Sequence, residues 1–328
     1  MTVLSEGTRP AFSVVVGGSV WLDEATTWAA TALRGLGRRL VGPARQVRVR
    51  PWSTQVVLTA TAHPDTVTAG TPVWLKQGCA ALAHEGRVLS LIARIAPEVV
   101  DAPLAVDPVS GRFLTADHGP SMRDQGRDDA GSWCDVVALA ARAQQQLLAH
   151  ADALVAAGLP DGSPTTALER LEDLVEAGAH DDGGRTARLR RLRPAVRESA
   201  AALLDSPFPV TWNHGDLHPG NVAAGTASRP LQLFDLGDSD LSCAPEVLAV
   251  PRRAIADDAV WGEVLAAYCD AWGIDHAVGA ALWPHVERVH AVNRTHAWSR
   301  ALAEATPAEA QRWLPHRDHH LEQIGEPT

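Results

Sequence analysis

The sequence is almost without lysine. Lys76 is the only lysine among its 29 Lys and Arg residues. An ammonium is a compact point charge, whereas a guanidinium is a planar fork, so the two side chains are not interchangeable at a binding site. A single lysine kept in an arginine-rich chain therefore indicates a role that arginine does not fill.

Paired cysteines and long apolar runs are also missing. The four cysteines are far apart and form no C-x-x-C pair, which excludes a disulfide framework and predicts reduced thiols in a cytoplasmic protein. The N-terminus has no basic segment followed by a long apolar run, and no stretch is apolar enough to span a bilayer. We therefore expect neither export nor a membrane partner.

The chain has fewer basic than acidic residues, 29 Lys and Arg against 39 Asp and Glu. The formal net charge is -10, which predicts no nucleic-acid partner, because such partners attract basic surfaces. The negative net charge weakly favours a small-molecule ligand that carries an amine. With 328 residues and 46% hydrophobic content, the chain is long and apolar enough for two lobes with cores.

The pattern of apolar residues changes along the chain. Up to about residue 118 it predicts strands at 46–50, 55–60, 71–77, near 105 and at 112–116, with helices at 22–40 and 80–95. Beyond that it predicts helices at 133–157, 166–177, 185–204, 251–273 and 277–305, a β-hairpin at 210–222 and 231–236, and a polar tail. We therefore expect an α+β protein with a small β-rich N-lobe, residues 1–118, and a larger, mostly helical C-lobe, residues 119–328.

One run of polar and turn-forming residues stands out in the C-lobe. It reads His214-Gly215-Asp216-Leu217-His218-Pro219-Gly220-Asn221, and Asp235-Leu236-Gly237 follows. Phosphoryl transfer needs a carboxylate at the acceptor hydroxyl, oxygen ligands for Mg²⁺ and a cation on the phosphates. His214, Asp216 and Asn221 have the spacing of the kinase loop H-R-D-x-x-x-x-N, and Asp235 takes the place of the D-F-G aspartate. The order of these motifs predicts a phosphotransferase.

The N-lobe supplies the matching cation. Lys76 ends the predicted strand Val73-Trp74-Leu75-Lys76, like the lysine of the kinase V-A-I-K motif, and Glu85 comes early in the following helix, as its ion-pair partner would.

The residue sequence of the 214–221 run resembles that of the aminoglycoside phosphotransferase and choline kinase-like family more than that of protein kinases. The likeness covers roughly residues 46–305, and Phe113 to Pro120 is similar to the segment that joins the lobes in that family. The resemblance implies a bilobal protein-kinase-like fold and an ATP- and Mg²⁺-dependent kinase. Its acceptor would be a small-molecule hydroxyl on an aminoglycoside-like antibiotic, an amino-sugar or another small compound.

The resemblance also implies residue roles. Asp216 would orient and deprotonate the acceptor hydroxyl, and Asn221 and Asp235 would bind Mg²⁺. The implied nucleotide contacts are Lys76 paired with Glu85 on the α- and β-phosphates, Ser53 and Thr54 over the phosphates, and the backbone from Thr115 to Asp117 on adenine.

Other interpretations stay open at this stage. His214, Asp216 and His218 spell H-x-D-x-H, which with Asp235 is compatible with a zinc-dependent hydrolase. A nucleotide-binding pseudokinase and a protein kinase are further alternatives. The sequence does not indicate an oligomeric state. Acceptor-binding candidates in the C-lobe helices are Asp257, Asp258, Glu263, Asp270, Glu287 and Arg294.

Overall fold

The computed structural model describes residues 10–62, 70–177, 184–226 and 230–325. It divides into two compact units, each built from several segments of the chain. The first unit contains Met1–Ala83, Leu104–Asp117 and Arg300–Leu314, and the second contains His84–Pro103, His118–Ser299 and Pro315–Thr328. The sequence-based boundary after residue 118 stays a prediction.

A six-stranded antiparallel sheet forms the frame of the first unit. Its strands are β1 (Arg39–Leu40), β2 (Arg45–Val49), β3 (Ser53–Thr61), β4 (Thr71–Gly78), β5 (Ala105–Val106) and β6 (Phe113–Ala116). The order is β1-β3-β4-β6-β5, and β2 shares one edge of β3 with β1. The β-branched residues of β3 and β4 favour these two long central strands.

Helices α1 (Phe12–Val16) and α2 (Ser19–Gly35) belong to the same unit. The buried residues of α2 are Trp21, Ala25, Ala29 and Leu33, spaced four apart, so they lie on one face of the helix. They form one apolar cluster with residues of β3 and β4. The predicted helix end near residue 40 is wrong, because Gly37 takes a left-handed conformation, with φ of 71°, two residues after the helix ends.

The predicted polar tail is helical instead. Helix α11 (Pro307–Gln323) begins at a capping box. The Thr306 N–H and hydroxyl both donate to Glu309 Oε2 at 2.9 Å, and the Glu309 N–H donates back to the Thr306 hydroxyl at 3.3 Å. Pro307 fits the first helical position, where its missing N–H costs nothing.

The second unit is mostly helical. Its helices are α3 (Glu85–Ile95), α4 (Ala130–Leu147), α5 (Ala151–Ala156), α6 (Ala167–Ala177), α7 (Gly184–Leu204), α8 (Ala249–Ala254), α9 (Asp258–Trp272) and α10 (His276–Ala301), the last of which ends in the first unit. The predicted helix 251–273 is in fact two helices, because Ile255 is extended and the Asp257 carboxylate caps α9 through the N–H groups of Ala259 and Val260. None of the helices in the described ranges combines the length and apolar character that crossing a bilayer requires.

Four short strands complete this unit: β7 (Val210–Asn213), β8 (Val222–Ala223), β9 (Gln232–Leu233) and β10 (Asp240–Cys243). The predicted hairpin is right only for its inner pair, β8 with β9. The strand β7 instead pairs with β10, which the sequence patterns did not identify.

A buried glutamine fixes β7 to the helices. Gln144 on α4 is fully buried and donates to the main-chain oxygens of Trp212 and Ala244 at 3.0 and 2.9 Å. Its Oε1 accepts a 2.6 Å bond from the hydroxyl of Tyr268 on α9, and the Thr211 hydroxyl donates to its main-chain oxygen at 2.9 Å. Because buried polar groups are costly unless paired, this network holds β7, and the loop that leaves it, in one position.

Candidate active site

The loop 214–221 connects β7 to β8 and carries the polar motif. Gly215 has φ of 76°, and a Cβ at this position would lie 2.0 Å from the Asp238 main-chain oxygen. Only glycine fits such a close approach in this conformation. The loop and the segment after Asp235 are therefore packed backbone against backbone.

His214 is a structural member of the loop. It is fully buried, its Nε2 lies 3.1 Å from the Phe234 main-chain oxygen, and its Nδ1 accepts the N–H of Asp216 at 3.3 Å. Burial lowers the pKa of His214, so the ring is neutral, with Nε2 protonated and Nδ1 acting as the acceptor. The ring thus joins the loop to the segment that contains Asp235.

Asp216 is the loop's half-buried carboxylate. Burial alone would raise the pKa of Asp216, but the hydrogen bond from His218 and the charge of Arg294 outweigh it and lower the pKa to about 2. The group is therefore an anion at neutral pH. It is a weak general base but a strong hydrogen-bond acceptor for a hydroxyl.

Asn221 lies next to this carboxylate. Its side-chain Nδ2 donates to the Asp216 main-chain oxygen at 2.9 Å and to Asp216 Oδ2 at 3.1 Å. The orientation leaves Asn221 Oδ1 outside any hydrogen bond among the described residues. An amide oxygen beside a carboxylate is a suitable ligand for Mg²⁺.

Asp235 is the second residue after β9. It is the one non-glycine residue in the described ranges with positive φ, 62°. Such backbone strain is concentrated at functional sites. The Phe234 N–H donates to the Asn221 main-chain oxygen at 3.0 Å, and Leu233 pairs with Val222, so Asp235 and Asn221 occupy neighbouring ends of one small sheet.

An ion pair supports the same segment from α10. Arg294 Nη1 lies 2.8 Å from Asp238 Oδ1. Burial would lower the pKa of Arg294, but the charges of Asp238 and Asp216 raise it. Of the sequence-based acceptor candidates, Arg294 is thus placed where its charge stabilises the ionised Asp216.

His218 connects Asp216 to a residue that the sequence patterns missed. His218 Nε2 lies 3.5 Å from Asp216 Oδ2. On the other side of the ring, His218 Nδ1 accepts the Gly220 N–H at 3.0 Å and lies 3.1 Å from Arg123 Nη2. Two donors at Nδ1 place the proton on Nε2, facing Asp216. Arg123 is 95 residues away in sequence, so no local motif identifies it.

The donor set distinguishes the two metal hypotheses. Mg²⁺ in nucleotide sites is held by one or two protein carboxylates together with phosphates and water, and Asn221 with Asp235 fits that requirement. Zinc needs three or four nitrogen, sulfur or carboxylate ligands, and within the described ranges no three His, Cys, Asp or Glu side chains are grouped in that way. Both ring nitrogens of His214 are already engaged, which disfavours the hydrolase hypothesis.

In the first unit, Lys76 lies on β4, opposite Gln55 on β3 and Phe113 on β6. Its side chain is buried, 7% exposed, so its position is fixed by the sheet. Glu85 is the first residue of α3 in the second unit and is 2% exposed. The pairing of these two residues stays a prediction.

Ser53 and Thr54 begin β3 rather than lying in the turn before it. The Thr54 hydroxyl accepts from Gln46 Nε2 at 2.8 Å and donates to the Arg48 main-chain oxygen at 2.9 Å. Both hydrogen bonds of the Thr54 hydroxyl thus lie within the β2–β3 hairpin. The Ser53 hydroxyl is buried and has no protein partner among the described residues. Their phosphate contacts stay predictions.

Thr115 and Asp117 lie at the end of the sheet. Thr115 pairs with Trp74 on β4, and the Trp74 indole N–H donates to Asp117 Oδ1 at 2.9 Å. The strand β6 ends at Ala116, so the backbone beyond it leaves the ladder. The adenine contacts of this backbone stay predictions.

Solved structures show the same fold. No family model and no curated protein matches the sequence. A macrolide 2'-phosphotransferase type I has TM-score 0.59 and 16% identity, over 93% of this chain and 97% of its own. APH(2")-IIia, solved with GDP and kanamycin, has TM-score 0.60 and 15% identity, over 92% and 98%. A Plasmodium vivax ethanolamine kinase has TM-score 0.63 and 10% identity, over 99% and 96%.

These likenesses span nearly the whole of each chain, and they agree with the antiparallel sheet and the helical remainder described above. They confirm the predicted α+β kinase-like fold. The chain has the fold of the aminoglycoside and macrolide phosphotransferases and of the choline and ethanolamine kinases.

Proposed function

We propose that this protein is a small-molecule kinase that transfers the γ-phosphoryl group of ATP, with Mg²⁺, to an acceptor hydroxyl. The observation that carries the proposal is the contact of Asn221 Nδ2 with the ionised Asp216, inside a loop with kinase spacing. The solved structures with this fold are named as phosphotransferases and kinases, which supports the same activity.

Asp216 aligns the acceptor hydroxyl in this proposal. The phosphoryl group passes through a loose transition state, so the nucleophile needs position more than prior deprotonation. A carboxylate with a pKa of about 2 suits that role, because it accepts a hydrogen bond from the hydroxyl and takes the proton as the new P–O bond forms. His218 and Asn221 hold the carboxylate in place.

Asn221 Oδ1 and the Asp235 carboxylate would hold Mg²⁺. A bound Mg²⁺ would neutralise charge on the polyphosphate. Lys76 would bind the α- and β-phosphates of the same nucleotide, with Glu85 orienting it, and the backbone from Thr115 to Asp117 would bind the base. Three of the solved structures with this fold are named as GDP complexes, so GTP is to be tested as a donor beside ATP.

The acceptor class is the finer part of the proposal. The compared structures include one with kanamycin bound and others named for macrolides, choline and ethanolamine. We include aminoglycoside-like antibiotics, amino-sugars and other hydroxylated small molecules as candidates.

A screen tests this function. The full chain is incubated with ATP or GTP, with and without Mg²⁺, and with a panel of hydroxylated small molecules, and both ADP or GDP release and phosphorylated product are measured. We expect nucleotide- and Mg²⁺-dependent product from at least one acceptor. Zinc-dependent hydrolysis that needs no nucleotide would instead support the hydrolase, and nucleotide binding without turnover on any acceptor would support the pseudokinase.

A further inference from the structure

A pair of polar side chains lies directly before the 214–221 loop, which is the reactive loop of the proposed mechanism. Asn213, the last residue of β7, pairs in register with Asp240, the first residue of β10. Asn213 Nδ2 donates to Asp240 Oδ1 at 3.0 Å, and Asn213 Oδ1 accepts the Gly215 N–H, also at 3.0 Å. The Asn213 amide therefore connects β10 to the backbone one residue before Asp216.

Asp240 decides which way this amide points. A carboxylate only accepts hydrogen bonds, whereas a side-chain amide has a donor end and an acceptor end. The Nδ2 end of Asn213 must therefore face Asp240, which leaves the Oδ1 end for the Gly215 N–H. Asn213 is 2% exposed, so a displaced amide would leave buried polar atoms without partners.

The Gly215 N–H belongs to a turn that has little freedom. Gly215 has positive φ and lies against the Asp238 main chain, and the Asp216 N–H in turn donates to His214 Nδ1 at 3.3 Å. The hydrogen bond from Gly215 to Asn213 is thus one of the contacts that set where the Asp216 backbone leaves the turn.

Asp240 is itself held from the opposite side. Its Oδ2 lies against Gly162, where a Cβ would overlap that oxygen. Asn293 on α10 donates to the Gly162 main-chain oxygen at 2.8 Å and accepts from Arg170 Nη1 on α6 at 3.0 Å. Burial raises the pKa of Asp240, while the charge of Arg170 and the bond from Asn213 oppose that shift. Two helices of the second unit therefore determine the place of this carboxyl group.

We propose that Asp240 is a positioning residue for phosphoryl transfer, which orients the Asn213 amide and through it the Gly215 backbone that places Asp216 at the acceptor hydroxyl. The inference rests on the proposed kinase function and adds to it two residues outside the kinase-like motifs. Asn213 precedes the 214–221 run, and Asp240 follows Asp235-Leu236-Gly237. A displacement of about 1 Å at a reacting group can cost about 10²-fold in rate, so such support is expected to matter for turnover.

An exchange of the two side chains tests the contact, with the acceptor identified in the screen. Asn213→Asp removes the donor and places a second carboxyl against Asp240. We expect kcat to fall by about tenfold or more, with the KM for ATP within about twofold of the wild type. Asp240→Asn keeps an oxygen for the Asn213 donor and should cost less than about threefold in kcat.

The double variant Asn213→Asp/Asp240→Asn restores one donor and one acceptor in reverse order. The new carboxylate still accepts the Gly215 N–H, and the new amide donates to it from β10. We expect the double variant to recover most of the kcat that Asn213→Asp loses, because the two changes act on one contact.

A readout that needs no turnover follows the loop itself. Hydrogen exchange of the Gly215 amide, measured by NMR on the full chain, should be faster in Asn213→Asp and should return toward the wild type in the double variant. Asp129→Asn is the matched control, because Asp129 also accepts a main-chain N–H, that of Ser132 at 3.0 Å, but at the start of α4. It should lower the melting temperature and leave both kcat and Gly215 exchange unchanged.

Several results would overturn the inference. They are normal kcat in a folded Asn213→Asp variant, a rise in the KM for ATP with kcat unchanged, and a double variant no better than Asn213→Asp. If Asn213→Asp does not fold, Asp240→Leu removes the acceptor instead, and unchanged kcat or unchanged Gly215 exchange there would also overturn the inference.

Failure of the proposed function gives a different result. A wild type that phosphorylates no acceptor would contradict the kinase proposal. Exchange of the Gly215 amide would still decide whether Asp240 holds the loop. The two failures are thus distinguishable.

Discussion

The side-chain amide of Asn221 reaches both the main-chain oxygen and the Oδ2 atom of Asp216, at 2.9 and 3.1 Å. This contact fixes the carboxylate with Nδ2 and leaves Oδ1 for a cation. In the proposed mechanism, the Asn221 side chain therefore has two roles. Its Nδ2 holds the carboxylate that aligns the acceptor, and its Oδ1 binds the metal.

Asn221→Leu keeps the approximate side-chain size and removes both functions. We expect kcat to fall by about 10²-fold or more, because Asp216 loses a donor and Mg²⁺ loses an oxygen ligand. Turnover is measured as a function of Mg²⁺ concentration, and the melting temperature shows whether the fold persists. Unchanged turnover at every Mg²⁺ concentration in a folded variant would remove Asn221 from the site.

Lys76→Arg tests the argument from the single lysine. The charge is kept, but a guanidinium is larger and directional, and the lysine side chain is buried on β4. We expect the KM for ATP to rise by about tenfold or kcat to fall by a similar factor. Arg34→Lys, on the last turn of α2, is the control and should have normal kinetics. Normal kinetics in Lys76→Arg as well would show that the lysine is not needed.

Gln144→Leu tests the network beneath the reactive loop. The change leaves the main-chain oxygens of Trp212 and Ala244 and the Tyr268 hydroxyl without a buried partner. We expect the free energy of unfolding to fall by roughly 2–4 kcal/mol in urea titrations. The neighbouring exposed Gln145, which makes a single bond to the Ala271 main-chain oxygen, gives the control Gln145→Leu with a much smaller loss. Equal losses in the two variants would show that the network adds nothing specific.

The capping box of α11 predicts a pH dependence of stability. Partial burial opposes ionisation of Glu309, but bonds from the Thr306 N–H and from the hydroxyls of Ser13 and Thr306 outweigh it and lower the pKa of Glu309. A carboxyl with a lowered pKa in the folded state stabilises the protein above its unfolded pKa of 4.5, and loses that contribution as pH falls through the folded value.

The melting temperature of the wild type should therefore fall further between pH 6 and pH 3 than that of Glu309→Gln. The exposed Glu24 supplies the control Glu24→Gln, which should follow the wild type. If Glu309→Gln and the wild type lose the same amount, the cap does not depend on the charge of Glu309.

Much of the fold and the loop could be predicted from the sequence because their signals are local. Residues 214–221 carry the kinase spacing within eight positions, and β3 and β4 have alternating, β-branched patterns. The structure then shows that Asn221 contacts Asp216 and that the His214 ring hydrogen-bonds to the Phe234 main-chain oxygen.

The parts that could not be predicted depend on contacts distant in sequence. The pairing of β7 with β10 joins strands whose partners, such as Asn213 and Asp240, are 27 positions apart with two further strands between them. The contact of Arg123 with His218 spans 95 positions. The break between α8 and α9 depends on the extended residues Ile255 and Asp257, which no apolar period marks.

The most direct test of the account is the turnover of Asp216→Asn on an acceptor identified in the screen. The change preserves shape and removes the charge that aligns the acceptor hydroxyl. Asp205→Asn, at an exposed position after α7, is the matched control. The account predicts that kcat falls by about 10²–10⁴-fold in Asp216→Asn, with ATP binding retained, and is normal in Asp205→Asn. Normal ATP-dependent phosphorylation by Asp216→Asn would contradict it.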